Sequence, residues 1–177
     1  MALINLALAK TMTGITDDTT CQFYIDATLK KIEKIIGYPL ASTKRTDYIQ
    51  GLNTENIWLY RKPVTAISLV KIGDKILTVN TDYTTRDLIT KPVIKLVDNI
   101  LCTFEEAEIE STAGFADGQV DQDIQMLIFN TIKAYENSLT ENGLKSYKID
   151  KISYDFFSYL EKNESFMNTV CDIFGLI

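Results

Sequence analysis

The chain of 177 residues contains no histidine. That removes the side chain most often used as a general base, as the partner of a nucleophile and as a zinc ligand. Cysteine is scarce. Cys21, Cys102 and Cys171 lie far apart, are odd in number and include no Cys-x-x-Cys pair, so neither a disulfide framework nor a zinc knuckle is indicated. Cys21 and Cys171 sit among apolar neighbours and read as small core residues suited to a reducing compartment. No apolar run approaches the roughly 20 residues that cross a bilayer, so no membrane is expected as a partner. Residues 1–10 have no basic region before their apolar part and are interrupted by Asn5, so they are read as cytosolic rather than as an export signal. Phosphate-binding loops, dinucleotide turns and nucleophile elbows are missing too. Neither a cofactor nor enzymatic activity is expected.

What is present is an ordinary globular composition, 46% apolar, in a chain long enough for one domain with a real core. The net charge of −6 argues against a protein that wraps nucleic acid by neutralising phosphates. That charge is uneven. Residues 44–97 carry nine Lys or Arg against five acids, whereas residues 98–141 carry ten acids against Lys133 alone. Such a block is either a solvated face or a surface that meets, or repels, something charged.

The chain is organised around residues 107–139. Residues 107–112 alternate small or apolar with polar side chains, the period of a half-buried strand. Gly114 and then Asp117-Gly118 break it. From Asp121 the period becomes helical: Ile124, Leu127, Ile128, Ile132, Tyr135 and Leu139 make one apolar stripe, which predicts a core helix over 121–140. Upstream, a short helix is expected over 2–13 and a second over 16–36. The second has Thr16 as N-cap, Asp17 and Asp18 in its first turn, lysines near its end, and Gly37 and Pro39 as its stop. Residues 41–55 are polar and read as a loop, with Lys44 and Arg45 as surface charges or contacts to an acidic partner. A β part follows over 57–112. Its expected strands are 57–60, 64–72, 76–79, 83–84, 93–96 and 100–104, short enough to favour an antiparallel sheet. Trp58, the only tryptophan, reads as a core or interface anchor.

Residues 145–152 read as polar and partly strand-like. Beyond them lies an aromatic-rich tail with Tyr154, Phe156, Phe157, Tyr159, Phe166 and Phe174, and a final helix is expected from about Ser165. This apolar surface either packs back on the domain or docks into another subunit. The expected class is α+β, mainly helical. The expected organisation is a domain over 1–153 followed by a tail over 154–177. The single carboxylate cluster, Glu105 to Glu110, could hold Mg²⁺ or Ca²⁺ and support a carboxylate-metal hydrolase through Glu106, Glu108 and Glu110. On a strand, however, those three share one face while Glu105 takes the other, which reads better as a solvated face.

Read in order, the local words resemble the head–tail connector (adaptor) proteins of tailed bacteriophages. The words are Tyr24-Ile25-Asp26 through Ile36-Gly37-Tyr38-Pro39, then Leu59-Tyr60-Arg61-Lys62-Pro63-Val64 continuing to Val70, then Asp82-Tyr83. Glu110-Ser111-Thr112-Ala113-Gly114-Phe115 follows, before the helix from Asp121, and Lys148-Ile149-Asp150-Lys151-Ile152-Ser153-Tyr154 comes last. Two departures stand out: Val120-Asp121-Gln122-Asp123 replaces the proline that commonly opens the long helix, and the tail beyond Tyr154 matches no word of the family.

The resemblance implies a homo-oligomeric ring, twelvefold, in the virion neck between portal and tail, assembled in the host bacterial cytoplasm. DNA would pass through its lumen without sequence-specific binding. It also implies that the C-terminal segment reaches the portal, which makes Tyr154, Phe156, Phe157, Tyr159, Phe166 and Phe174 candidate portal contacts, ordered only when docked. The opposite side of the ring would accept a stopper or tail protein. A lumen lined by acids would let a polyanion slide, and Glu105, Glu106, Glu108, Glu110 and Asp117 are the candidates. A stopper or tail-completion protein of the same neck is the alternative.

Overall fold

The computed structural model describes residues 3–51, 53–97, 105–141 and 149–176. Among the described residues, five helices and seven strands form an α+β fold divided into two units. One unit comprises residues 1–40 and 116–177, and the other residues 41–115.

The helical unit begins with α1 (Leu6–Thr13), capped by the Asn5 side chain, which accepts from the Leu8 N–H. α2 (Asp18–Ile36) is capped by Asp17 rather than Thr16: the carboxylate accepts from the Thr20 N–H at 2.6 Å, and the Thr20 side chain, together with that N–H, holds its pKa below the usual carboxylate range. At the other end Gly37 takes a left-handed conformation, φ 82°, which lets its N–H return to the Glu33 carbonyl. The Glu33 side chain then accepts from the Leu40 N–H at 2.9 Å. α3 (Gln122–Glu141) follows the expected stripe. Ile124, Ile128, Ile132 and Tyr135 are buried on it, and Leu127 and Leu139 are half-buried.

Two further helices, α4 (Ile149–Lys162) and α5 (Glu164–Phe174), complete this unit. α4 packs on α2, and α5 packs on α2 and α3. Phe156 is fully buried, with its ring 4.6 Å from Tyr24 and 4.9 Å from Tyr135. Leu160, Phe166, Val170 and Phe174 are buried as well. The segment after Tyr154 is therefore part of a helical core, not a separate tail, and the division differs from the expected 1–153 and 154–177. Nor does the strand-like reading near Ile149 hold, since that residue opens α4. Residues 142–148 lie outside the described residues. Burial, with the Glu136 carboxylate beside it, pushes the Tyr24 phenol well above its ordinary pKa. Thr28 and Thr131 are buried without loss because each hydroxyl donates to a carbonyl four residues back.

The β unit has two antiparallel sheets. β1 (Thr43–Gln50), β7 (Glu106–Ala113), β3 (Val64–Ile72) and β4 (Lys75–Ile76) form one, in the order β1-β7-β3-β4. β2 (Asn56–Trp58), β6 (Val93–Leu96) and β5 (Tyr83–Arg86) form the other, in the order β2-β6-β5. Both contribute to one core that includes Ile57, Leu59, Val70, Ile94, Leu96 and Ile109. The expected loop over 41–55 is corrected, because most of it is the edge strand β1. Its alternation is faint because, on that strand, Ile49 is the one aliphatic side chain that packs against the core. The strand expected over 100–104, and Cys102, fall outside the described residues. Cys21 is fully buried, which raises its thiol pKa, whereas Cys171 is half-buried.

Among the described residues of the β unit, Arg61 is the buried charge. The Arg61 side chain is 6% exposed, and its Nη2 donates to Asp47 Oδ2 at 2.8 Å and to Ser111 Oγ at 3.3 Å. Its Nε and Nη1 have no partner among the described residues. Removing one member of a buried pair strands the other charge, at about 3–5 kcal/mol when that charge is cut off from water; Arg61, 6% exposed, would be stranded in this way without Asp47, whereas Asp47, 25% exposed, would keep some hydration without Arg61. Asp47→Ala should therefore destabilise the protein more than Arg61→Met in urea titrations; the reverse ranking would show that the pair is a net stabiliser through the arginine alone. In the helical unit, Phe156→Ala should cost about 3–5 kcal/mol. Truncation after Ser153 should abolish the cooperative melting of the helices, which circular dichroism would follow.

Candidate interaction surfaces

β7 is one of the two inner strands of its sheet, and its parity sorts the acids. Ala107, Ile109, Ser111 and Ala113 are buried, while Glu106, Glu108 and Glu110 project from the opposite face. That face is not simply anionic. Lys44 of β1 meets Glu110 at 2.7 Å and Lys71 of β3 approaches Glu108 at 3.6 Å. The Lys44 ammonium, with the Ser68 hydroxyl, holds the Glu110 carboxyl below the usual carboxylate range. Two β-bulges in β3, between Val64 and Ala66 and between Ile67 and Leu69, accompany hydroxyl contacts from Thr65 and Ser68 to the β7 carbonyls. Glu105 and Glu106 are exposed just before and at the start of the strand.

Asp117 is exposed but belongs to the helical unit, so the five candidate acids are divided between the two units. Successive same-face residues of a strand are about 6.6–6.8 Å apart, too far for Glu106, Glu108 and Glu110 to close around one ion. Among the described residues there is no group of three or more His, Cys, Asp or Glu that could hold a metal.

The candidate portal residues also separate. Phe156, Phe166 and Phe174 are core; Phe174 stands 6.4 Å from Tyr38, ring to ring. Tyr159 is half-buried and packs against Tyr135 at 5.3 Å. Phe157 is 43% exposed and touches Phe23 edge to face. The side chain of Tyr154 lies outside the described ones. Beside this helix pair, Met126 and Leu127 of α3 and Phe166 and Ile173 of α5 line a groove of about 530 Å³.

A second groove, of about 360 Å³, belongs to the β unit and carries the largest exposed aromatics. Tyr48 is 63% exposed, Trp58 54% and Tyr60 80%. The groove runs along Tyr48, Ile49 and Gln50 of β1 and Asn56, Ile57 and Trp58 of β2, each an edge strand of its own sheet. Trp58 is thus a surface residue, and of its two expected uses the interface anchor suits its position. Tyr48 and Tyr60 did not stand out in the sequence, yet parity held the signal: Ile57 and Leu59 point inward, so Trp58 and Tyr60 share the outward face. Aromatic residues concentrated at the surface in this way are the composition of interface hot spots.

No family model matches the chain, and no curated protein matches it. Solved structures do. A chain of the neck of an empty gene transfer agent (GTA) particle, computed with C6 symmetry, superposes with a TM-score of 0.53 at 16% identity, over 76% of this chain and 78% of that one. A chain of the virion of a native GTA particle gives 0.54 at 14% identity, over 90% and 88%. The neck of the native particle computed with C12 symmetry gives 0.53 at 16%, over 77% and 78%. The protein shares its fold with components of the neck and virion of a phage-like particle.

Proposed function

We propose that the protein is a structural, non-enzymatic component of the neck of a phage-like particle: a ring between portal and tail through which DNA passes. The observation that carries this reading is the likeness of fold to chains of GTA necks, over 76% and 77% of the sequence. It coincides with the order of local words that resembles head–tail adaptors. The symmetries of those necks, C6 and C12, are compatible with a homo-oligomeric ring of twelve. The absence of histidine and the charge-paired acids of β7 agree with a role that needs no chemistry.

Within this reading, the acids Glu105, Glu106, Glu108, Glu110 and Asp117 lie on or beside the lumen; Glu108 and Glu110 are offset there by Lys71 and Lys44, and the others supply the negative charge that keeps a polyanion from sticking. The portal is met by the exposed surface of the C-terminal helices, with Phe157 foremost, and the far side of the ring receives a stopper or tail protein. Assembly takes place in the host cytoplasm.

Electron microscopy of the purified protein mixed with its portal is the test. A ring stacked coaxially on the portal is expected; a protein that stays monomeric and never joins the portal would overturn the proposal. Binding only after another neck protein has been added would make it a stopper instead of an adaptor. Acids found on the outer rim would refute the lumen assignment. Phe157→Ala should weaken portal binding at least tenfold with the melting curve nearly unchanged, measured by sedimentation of the complex.

A further inference from the structure

One rung of side chains crosses the whole four-stranded sheet. Tyr48 of β1 stands opposite Glu108 of β7, Glu108 opposite Lys71 of β3, and Lys71 opposite Ile76 of β4. Directly opposed residues share a face, so all four project to the same side. The middle of the rung is an ion pair, Lys71 to Glu108 at 3.6 Å. Its two ends are large, apolar or aromatic, and bare: Tyr48 is 63% exposed and Ile76 65%. With strands about 4.8 Å apart, these ends are about 14 Å from each other, at opposite edges of the sheet.

The edges themselves are open. No described strand pairs the outer edge of β1, an eight-residue strand. Charges are the usual guard of such an edge. Here Lys44 and Arg45 stand at its start, and the stretch from Tyr48 to Gln50 has none. Direction fits as well. Each neighbouring pair in the sheet is antiparallel, which makes β1 and β4 antiparallel to each other. A sheet continued from the β4 edge of one molecule into the β1 edge of the next would therefore pair antiparallel, the geometry in which opposed residues exchange straight hydrogen bonds.

We propose that copies of this chain join head to tail through these two edges. Ile76 of one copy sits beside Tyr48 of the next, and Val79, 50% exposed and three residues further on, reaches the groove of Trp58 and Tyr60. The two surfaces differ, so the contact is heterologous and repeats around an axis until it closes, which is how a ring is built. The proposal rests on the ring reading above and names the surface that makes the ring.

The test uses the full chain with Tyr48→Cys and Ile76→Cys together, and with Cys102→Ser and Cys171→Ser to remove competing thiols. Under mild oxidation it should give a ladder of covalent multimers ending at the ring number, while a mixture of the two single-cysteine chains stops at dimers. Dimers from either single-cysteine chain alone would reveal a two-fold contact and overturn the proposal. Closed rings in the microscope with no ladder would overturn it too and leave the ring reading standing. A chain that is monomeric at every concentration, alone and with portal, would end both. Ile76→Asp should shift self-association to at least tenfold higher concentration, with an unchanged melting curve because the side chain is exposed. Unchanged association would count against the contact.

Discussion

The β unit depends on the register of one strand. β7 pairs along its length with β1 on one side and along most of it with β3 on the other, so its alternation decides what both neighbours bury. Because the side-chain period is two, a slip by one residue would carry Ile109 to the solvent and Glu108 and Glu110 into the core. The small side chains Ala107, Ser111 and Ala113 leave room beneath the strand for the second sheet and for the guanidinium of Arg61. On the other face the same parity places each outward acid within reach of a neighbouring strand, where Lys44 and Lys71 meet Glu110 and Glu108. Core, buried ion pair and surface charge are thus three results of one pairing.

In the helical unit the ordering element is an aromatic cluster. Tyr24 of α2, Tyr135 of α3 and Phe156 of α4 meet at ring distances between 4.6 and 5.6 Å. Two consecutive helices are tied at one point to a third that precedes them by the whole β unit, and tilted and edge-to-face rings of this kind add to the burial of large apolar area. The helices α2 and α3 were legible because their apolar stripes are aliphatic and regular, with capping residues at the ends of α2. α4 was not. Ile149, Ile152, Phe156 and Leu160 keep a helical spacing, but Tyr154, Phe157 and Tyr159 interleave them and blur it. Aromatic residues also favour strands, which pulled the reading away from helix.

The interaction surfaces were harder to read than the fold, for a physical reason. A core imposes a period on the sequence, while a surface imposes only a location, and location depends on pairings distant in the chain. Glu108 and Lys71 are 37 positions apart in the sequence but opposite each other in the sheet. Strand parity could separate Glu105 from Glu106, yet it could not show that two of the acids are matched by lysines. The edge strand β1 looked like a loop because a strand at a sheet edge buries little. Tyr48 consequently drew no notice, although it ends a rung that crosses the sheet.

The β unit leaves and rejoins the helical chain through neighbouring strands: Ala41 bridges Phe115, and the Ser42 N–H donates to the Phe115 carbonyl at 2.9 Å. Backbones bridged in this way are about 5 Å apart, so the whole span from 41 to 115 begins and ends at nearly the same point. A module with adjoining ends can be lengthened, recarved or exchanged without moving the residues that follow α2 and precede α3. Natural variation can therefore work on the β cassette between residues 41 and 115 while the helices that precede and follow it in the chain keep their own sequence.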